Sequence, residues 1–137
     1  MSTRSFICKE EKDGKVVGVF CHWDGYPTHN GRILLQHYPY DEKEKVDTLI
    51  NLGNLESLGE TIETTRTWHQ EGTAWEDCKP TEWESLEDCL IDAMKNIGIE
   101  YVYIYKHSVF AREDCWEWRC YDINRLRRLL PEMYTGM

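Results

Sequence analysis

Alternating apolar and polar positions predict two pairs of β-strands, one near each end of the chain. The first pair covers residues 5–9 and 16–23, and the second covers residues 101–106 and 116–120. A period of two is typical of strands, whose successive side chains point to opposite faces. Each pair is separated by a short connection, so we expect two hairpins within one sheet.

An Asp13-Gly14 pair between the first two strands is a strong indication of a two-residue hairpin turn. Pairing about this turn places Phe6 opposite Cys21 and Cys8 opposite Val19. We expect these four side chains on one buried face of the sheet. Cysteine behaves as a small apolar residue in such a position, so these thiols are predicted to be reduced and structural.

Four other segments show the apolar spacing of helices. Stripes with a period near 3.6 run through residues 30–38, 41–53, 81–98 and 122–133. As N-terminal caps we predict Asn30, the pairs Asp41 with Glu44 and Thr81 with Glu84, and either Asp122 or Asn124. Residues 60–80 show no clear period, and we expect a long loop or an edge strand there.

This order of elements predicts a single α+β domain over residues 1–137. The length is sufficient for one hydrophobic core without disulfide or metal support. Because hairpins favour antiparallel pairing, we expect a mainly antiparallel sheet built from two hairpins, with helices packed on one face. An irregular acidic segment, residues 56–83, lies within this domain.

Composition argues against export, a membrane span and a metal site. The longest apolar runs are much shorter than the roughly 20 residues that cross a membrane, and residues 1–20 mix charged with apolar groups, unlike a signal peptide. The six cysteines are irregularly spaced, without the close pairs that bind zinc. We therefore expect a soluble cytoplasmic protein with no disulfides, no metal and no cofactor.

The net charge of -9 is concentrated in one stretch of the chain. Residues 56–92 contain eleven acidic and two basic side chains, and the remainder has fourteen of each sign. Such a stretch is either a solvated face or a surface for a basic partner, and it opposes direct nucleic-acid binding. The partner-binding residues that we predict in it are Trp68, Glu71, Trp75, Glu76, Asp77 and Trp83.

Residues 21–31, CHWDGYPTHNG, connect the second strand to the first helix. Aromatic and polar groups concentrated in a loop favour recognition, although bonding of the loop backbone also explains them. With nearby arginines they suit a nucleotide-like ligand, for which the candidate residues are His22, Trp23, Asp24, Tyr26, His29, Arg32, Arg112, Arg125 and Arg128. A small hydrolase that uses His22, Asp24 and His29 is a further alternative.

The segment VGVFCHWDGYPTHNGRILL, residues 17–35, resembles a family of small uncharacterised proteins of bacteria and their phages. The similarity continues to residue 59 and returns at residues 100–105 and 116–121. Members of that family carry an Arg-Asp-Arg-Gly-like segment, which residues 65–79 lack. The resemblance implies a viral or prophage origin and no known activity.

These observations favour a binding protein over an enzyme. We predict a phage- or prophage-encoded protein that neutralises a host defence component, with a basic host protein as the preferred partner of the acidic aromatic surface. Sequestration of a nucleotide-like small molecule by residues 22–32 and the arginines is the alternative. Uncovered aromatic strands favour pairing with a second copy, so a homodimer is open alongside a monomer.

Overall fold

The predicted strands and helices occur in the predicted order, and residues 55–83, where an irregular segment was predicted, add three short strands and one short helix. The computed structural model describes residues 2–96, 98–107 and 116–133. Within them seven strands form one sheet: β1 Arg4–Glu10, β2 Val16–Cys21, β3 Leu55–Ser57, β4 Arg66–Thr67, β5 Thr81–Trp83, β6 Ile99–His107 and β7 Trp116–Asp122. The helical elements are a π-helical turn Pro27–Gly31, α1 Arg32–His37, α2 Lys43–Ile50, α3 Trp75–Cys78, α4 Leu86–Lys95, α5 Ile123–Leu129 and a 3₁₀ turn Pro131–Met133.

The sheet has the strand order β4-β3-β2-β1-β6-β7, and β5 shares the outer edge of β2 with β3. In the part of the chain that the structure describes, four pairings are antiparallel, and the β1–β6 and β2–β3 pairings are parallel. The predicted α+β class, mainly antiparallel sheet and two hairpins are therefore confirmed.

The turn of the first hairpin contains three residues, 12–14, rather than the predicted two. Gly14 has φ +90°, the left-handed conformation that closes a three-residue turn. Phe6 consequently lies opposite Phe20, so the predicted pairing of Phe6 with Cys21 was wrong. Because a shift of one residue turns a side chain to the other face, Phe6 and Cys21 belong to different core clusters.

Helices cover both faces of the sheet, and not one face as predicted. Helices α1 and α2 pack on the first face, which carries Ile7, whereas α4 and α5 pack on the second face, which carries Phe6 and Cys8. All five residues from Ser5 to Lys9 are buried. A strand buried on both sides needs cover on both sides, which explains the second layer of helices.

The helices of the described residues are short, and none has the length and apolar character to cross a membrane. Their N-termini differ from the prediction at three places. Asn30 is buried in the π-helical turn, α2 begins after Glu42 without a side-chain cap, and Ser85 rather than Thr81 caps α4. Asp122 caps α5, which agrees with one of the two predicted residues.

The described cysteines form no disulfides. Cys8, Cys21, Cys78 and Cys89 are buried thiols, and Cys120 is exposed. Burial raises the pKa of Cys21 to about 11 and also raises the pKa of Cys8. At neutral pH these two side chains are therefore small apolar groups of the core, as predicted.

Arg127 closes the C-terminal end of α4. Its guanidinium group donates hydrogen bonds of 2.7 to 3.0 Å to the carbonyl oxygens of Ala93, Met94 and Asn96. The last carbonyl groups of a helix lack intrahelical partners, so a cation that donates to them also stabilises the helix dipole. The other two arginines of α5, Arg125 and Arg128, are exposed.

We expect Arg127→Ala to lower the free energy of unfolding by about 2 kcal/mol, because hydrogen bonds from a charged donor are lost at partly buried carbonyls. The matched control is Arg128→Ala on the same helix, which we expect to change stability by less than about 0.5 kcal/mol. Urea denaturation of the two variants measures both values. Equal destabilisation by the two changes would contradict the capping role.

Candidate functional site

The loop after β2 is anchored to the sheet through its backbone. The N–H groups of His22 and Trp23 donate to carbonyl oxygens of β3 at 3.0 and 3.1 Å, which prolongs the parallel pairing. The Tyr103 hydroxyl donates to the Gly25 carbonyl oxygen at 2.5 Å. A Cβ at Gly25 would lie 2.8 Å from the Cβ of Ser5, so only glycine permits this approach.

Asn30 is the polar centre of the loop and is completely buried. Its amide nitrogen donates to the Cys21 sulfur at 3.4 Å and to the Trp23 carbonyl oxygen at 3.5 Å. The amide oxygen lies 2.9 Å from Nδ1 of His29, and an amide oxygen can only accept. We therefore assign the proton of the neutral His29 ring to Nδ1, which leaves the lone pair on Nε2.

The six candidate residues of the loop do not lie together. The ring of His22 packs against Trp23 at 4.6 Å and Phe20 at 6.1 Å, and Phe20 packs against the core of the second face. His29 and Arg32 instead line a groove beside α1, on the side of the first face. The loop thus contributes to two separate surfaces.

No hydrogen bond or ion pair joins His22, Asp24 and His29 within the described residues. Asp24 has φ +56°, and its carboxylate raises the pKa of Tyr26. An acid and a base that act together need hydrogen-bond contact, which this trio does not have. The described residues also contain no cluster of three or more His, Cys, Asp or Glu side chains suited to a metal ion.

The candidate arginines are also divided. Arg125 and Arg128 are carried by α5, on the second face, whereas Arg32 begins α1, on the first face. The sheet lies between these two layers. Arg112 lies outside the described residues.

The three candidate tryptophans do not share one surface. Trp68 packs edge-on against Phe20 at 5.4 Å, and Trp83 packs against Phe6 at 5.3 Å. Both of these phenylalanines pack into the core of the second face. Trp75 lies on the other side of the sheet and is 38% exposed.

Trp75 lines a groove of about 400 Å³, which we call the Trp75 groove. Its other lining side chains include Leu52, Ile62, Glu63, Thr67, His69 and Gln70. The indole packs over Gly53, where φ is +81° and a Cβ would lie 3.0 Å from the ring.

His69 meets the indole edge-on at 5.6 Å and donates from Nδ1 to the Thr73 carbonyl oxygen at 2.9 Å. Nε2 of the neutral His69 ring is therefore an acceptor.

Two of the three candidate partner-binding acids already have a basic neighbour. Glu71 forms an ion pair with Arg66, and Glu76 forms one with Lys79 at 2.9 Å. Asp77, next to Glu76 in α3, has no ion-pair partner among the residues that the structure describes. The negative charge close to Trp75 is therefore only partly compensated.

Residues 58–65 separate the Trp75 groove from a second groove of about 410 Å³, the Arg32 groove. It is lined by His29, Arg32, Leu58, Glu60, Thr61 and Thr64. The hydroxyl groups of Thr61 and Thr64 lie 3.0 Å apart, and each accepts a 3.1 Å hydrogen bond from the other's backbone N–H. Such local bonds replace strand pairing, which explains why this stretch shows no period.

Glu60, Glu63 and His69 are groove residues that sequence reasoning missed. They occur singly in an aperiodic stretch, so no spacing marks them. The repeated threonines at 61, 64, 65 and 67 are the one local indication, because threonine hydroxyls favour compact turns. The pairing of Thr61 with Thr64 depends on contacts that the sequence spacing alone does not reveal.

Comparison with known proteins finds no match between this chain and any family model, curated protein or solved structure. The resemblance of residues 17–35 to a family of bacteria and their phages stays a prediction.

We expect Asn30→Ala to lower the free energy of unfolding by about 2 kcal/mol, because it leaves buried polar groups without partners. It should also remove the preference of the neutral His29 ring for the Nδ1–H tautomer, and long-range ¹H–¹⁵N NMR would then detect a mixture of the Nδ1–H and Nε2–H tautomers. Thr28→Ala, at an exposed position in the same turn, serves as the control. An unchanged His29 tautomer in the Asn30 variant would contradict the assignment.

Proposed function

We propose that this is a binding protein that neutralises a basic host protein through the acidic surface around Trp75. The observation that carries the proposal is an exposed tryptophan in a groove that also contains a carboxylate, on a segment with a net charge of -9 between residues 56 and 92. Tryptophan in a partly enclosed pocket is a frequent energetic centre of protein interfaces.

Acidic groups around this centre give the surface its preference for a basic partner. Glu76 and Asp77 follow Trp75 directly in α3, and Glu63 lines the groove itself. Complementary charge accelerates encounter and excludes partners of the wrong sign. Contact with Trp75 and the apolar side chains Leu52 and Ile62 then slows dissociation.

The proposed origin of the protein rests on the predicted resemblance of residues 17–35. We propose that it is encoded by a phage or prophage and acts in the cytoplasm of the bacterial host. A small acidic protein that occupies a basic surface of a host defence component would block that surface for its normal ligand.

We expect Glu76→Lys with Asp77→Lys to weaken retention of the host partner by about tenfold or more, because both changes place positive charge beside Trp75. Immobilised protein is incubated with host lysate, and bound proteins are quantified by mass spectrometry. Glu82→Lys with Glu84→Lys is the matched control, since it makes the same change in net charge at exposed positions of the same segment. Equal retention by the two double variants would reject the proposed surface.

The Arg32 groove supports a second function, the binding of a small anionic ligand. Arg32 donates from Nε to the Thr28 carbonyl oxygen and from Nη1 to Gln36, which fixes its guanidinium group at the groove. His29 adds a ring of defined tautomer, and the rest of the polar lining consists of the Glu60 carboxylate and the hydroxyl groups of Thr61 and Thr64. The guanidinium group is a donor that suits a phosphate or carboxylate, whereas the two threonine hydroxyls bond to each other.

This second function predicts that nucleotides from the host copurify with the protein. We expect Arg32→Gln to reduce the recovered nucleotide by about tenfold, because the charged donor is lost. Extraction of the purified protein followed by liquid chromatography and mass spectrometry measures the amount. Arg128→Gln, on the opposite face, is the control. If the two variants retain the same amount of nucleotide, the Arg32 groove is rejected as the nucleotide site.

A further inference from the structure

The Trp75 groove offers hydrogen-bond acceptors and lacks a basic side chain of its own. Glu63 contributes a carboxylate, and His69 contributes the lone pair of Nε2. None of the described side chains that line the groove is a lysine or an arginine. Glu63 also has no ion-pair partner within the described ranges of the chain. An incoming cation therefore meets no lysine or arginine among the described lining residues, and the Glu63 carboxylate is not already paired with an internal cation there.

The apolar part of the groove fits a long side chain with a charged end. Leu52 and Ile62 pack against the core of the first face and form the apolar wall of the groove. Lysine and arginine cover such surfaces with their methylene groups while the charged end reaches polar neighbours. Trp75 supplies an indole face, which attracts a cation more strongly than the rings of other aromatic side chains do.

We propose that the Trp75 groove takes the guanidinium group of an arginine side chain of the basic partner. The planar group stacks on Trp75 and donates N–H bonds to the Glu63 carboxylate and to Nε2 of His69. Lysine fits less well, because its compact ammonium group is strongly hydrated and does not stack. This inference rests on the proposed function, since it identifies the group by which the partner is recognised.

The test titrates the full chain with N-acetyl-arginine methylamide and follows the indole N–H of Trp75 by ¹⁵N NMR. This signal is assigned by its absence from the spectrum of Trp75→Leu. We expect saturable shifts of the Trp75 signal, and about tenfold weaker binding of the citrulline analogue, which has the same shape without the charge. The lysine analogue should also bind more weakly than the arginine probe.

Glu63→Gln should weaken binding of the arginine probe by about fivefold, because it removes the charge that pairs with the guanidinium group. Glu84→Gln, an exposed acid outside the groove, is the matched control and should leave binding unchanged. Equal affinity for the arginine and citrulline probes, or equal effects of the two glutamate changes, would overturn the inference.

The outcomes separate this inference from the proposed function. If the lysine reversals at 76 and 77 abolish partner retention while the arginine probe does not bind, the surface stands and the guanidinium site is rejected. If the arginine probe binds but retention of the partner is insensitive to those reversals, the proposed function is rejected and the groove remains only a site for free guanidinium ligands.

Discussion

Burial of β1 on both faces is the constraint on which the rest of the structure depends. The strand buries a lysine as well as apolar residues, and Lys9 is only 4% exposed. Its ammonium group donates to the Asp47 carboxylate of α2 at 2.5 Å, so the buried positive charge is paired with a negative one. An unpaired buried ammonium group would be strongly unfavourable, and the pair therefore ties α2 to the first face of the central strand. Helices α4 and α5 then have to cover the second face.

The outer edge of β2 determines where the grooves form. This edge is divided between β3 and β5, so Phe20, which pairs with β1 on its other side, has no strand partner at the outer edge. Asn54 replaces that partner: its side-chain oxygen accepts from the Phe20 N–H at 3.0 Å, its N–H donates to Cys78, and its carbonyl oxygen accepts from Trp68. One residue thus connects the sheet to α3 and to the turn after β4. Residues 58–65, which connect β3 to β4, fold outside the sheet, and one groove lies on each side of them.

Local sequence patterns were sufficient to predict the hairpins and the longer helices, because hydrophobic periodicity and turn residues determine structure over only a few neighbouring positions. These patterns did not determine the register of the first hairpin, because an Asp13-Gly14 turn occurs in loops of two and of three residues. The hydrophobic pattern fits both registers, because β1 is apolar on both faces. Within the candidate site, Trp75 and its acids were identified from charge and composition, whereas Glu63 and His69 join them only through the fold of residues 58–75.

In the proposed function, the division of charge around Trp75 would allow an acidic surface to discriminate between basic partners. Exposed ion pairs such as Glu76 with Lys79 contribute little to stability and partly cancel the field of the segment. The field that remains decays over about 8 Å at physiological ionic strength, and complementary charge of this kind contributes more to the rate of encounter than to affinity. Selectivity must then come from contacts at shorter range. Within the Trp75 groove these are an aromatic face, a carboxylate and an oriented imidazole, and each of them has a directional requirement that a uniform acidic surface lacks.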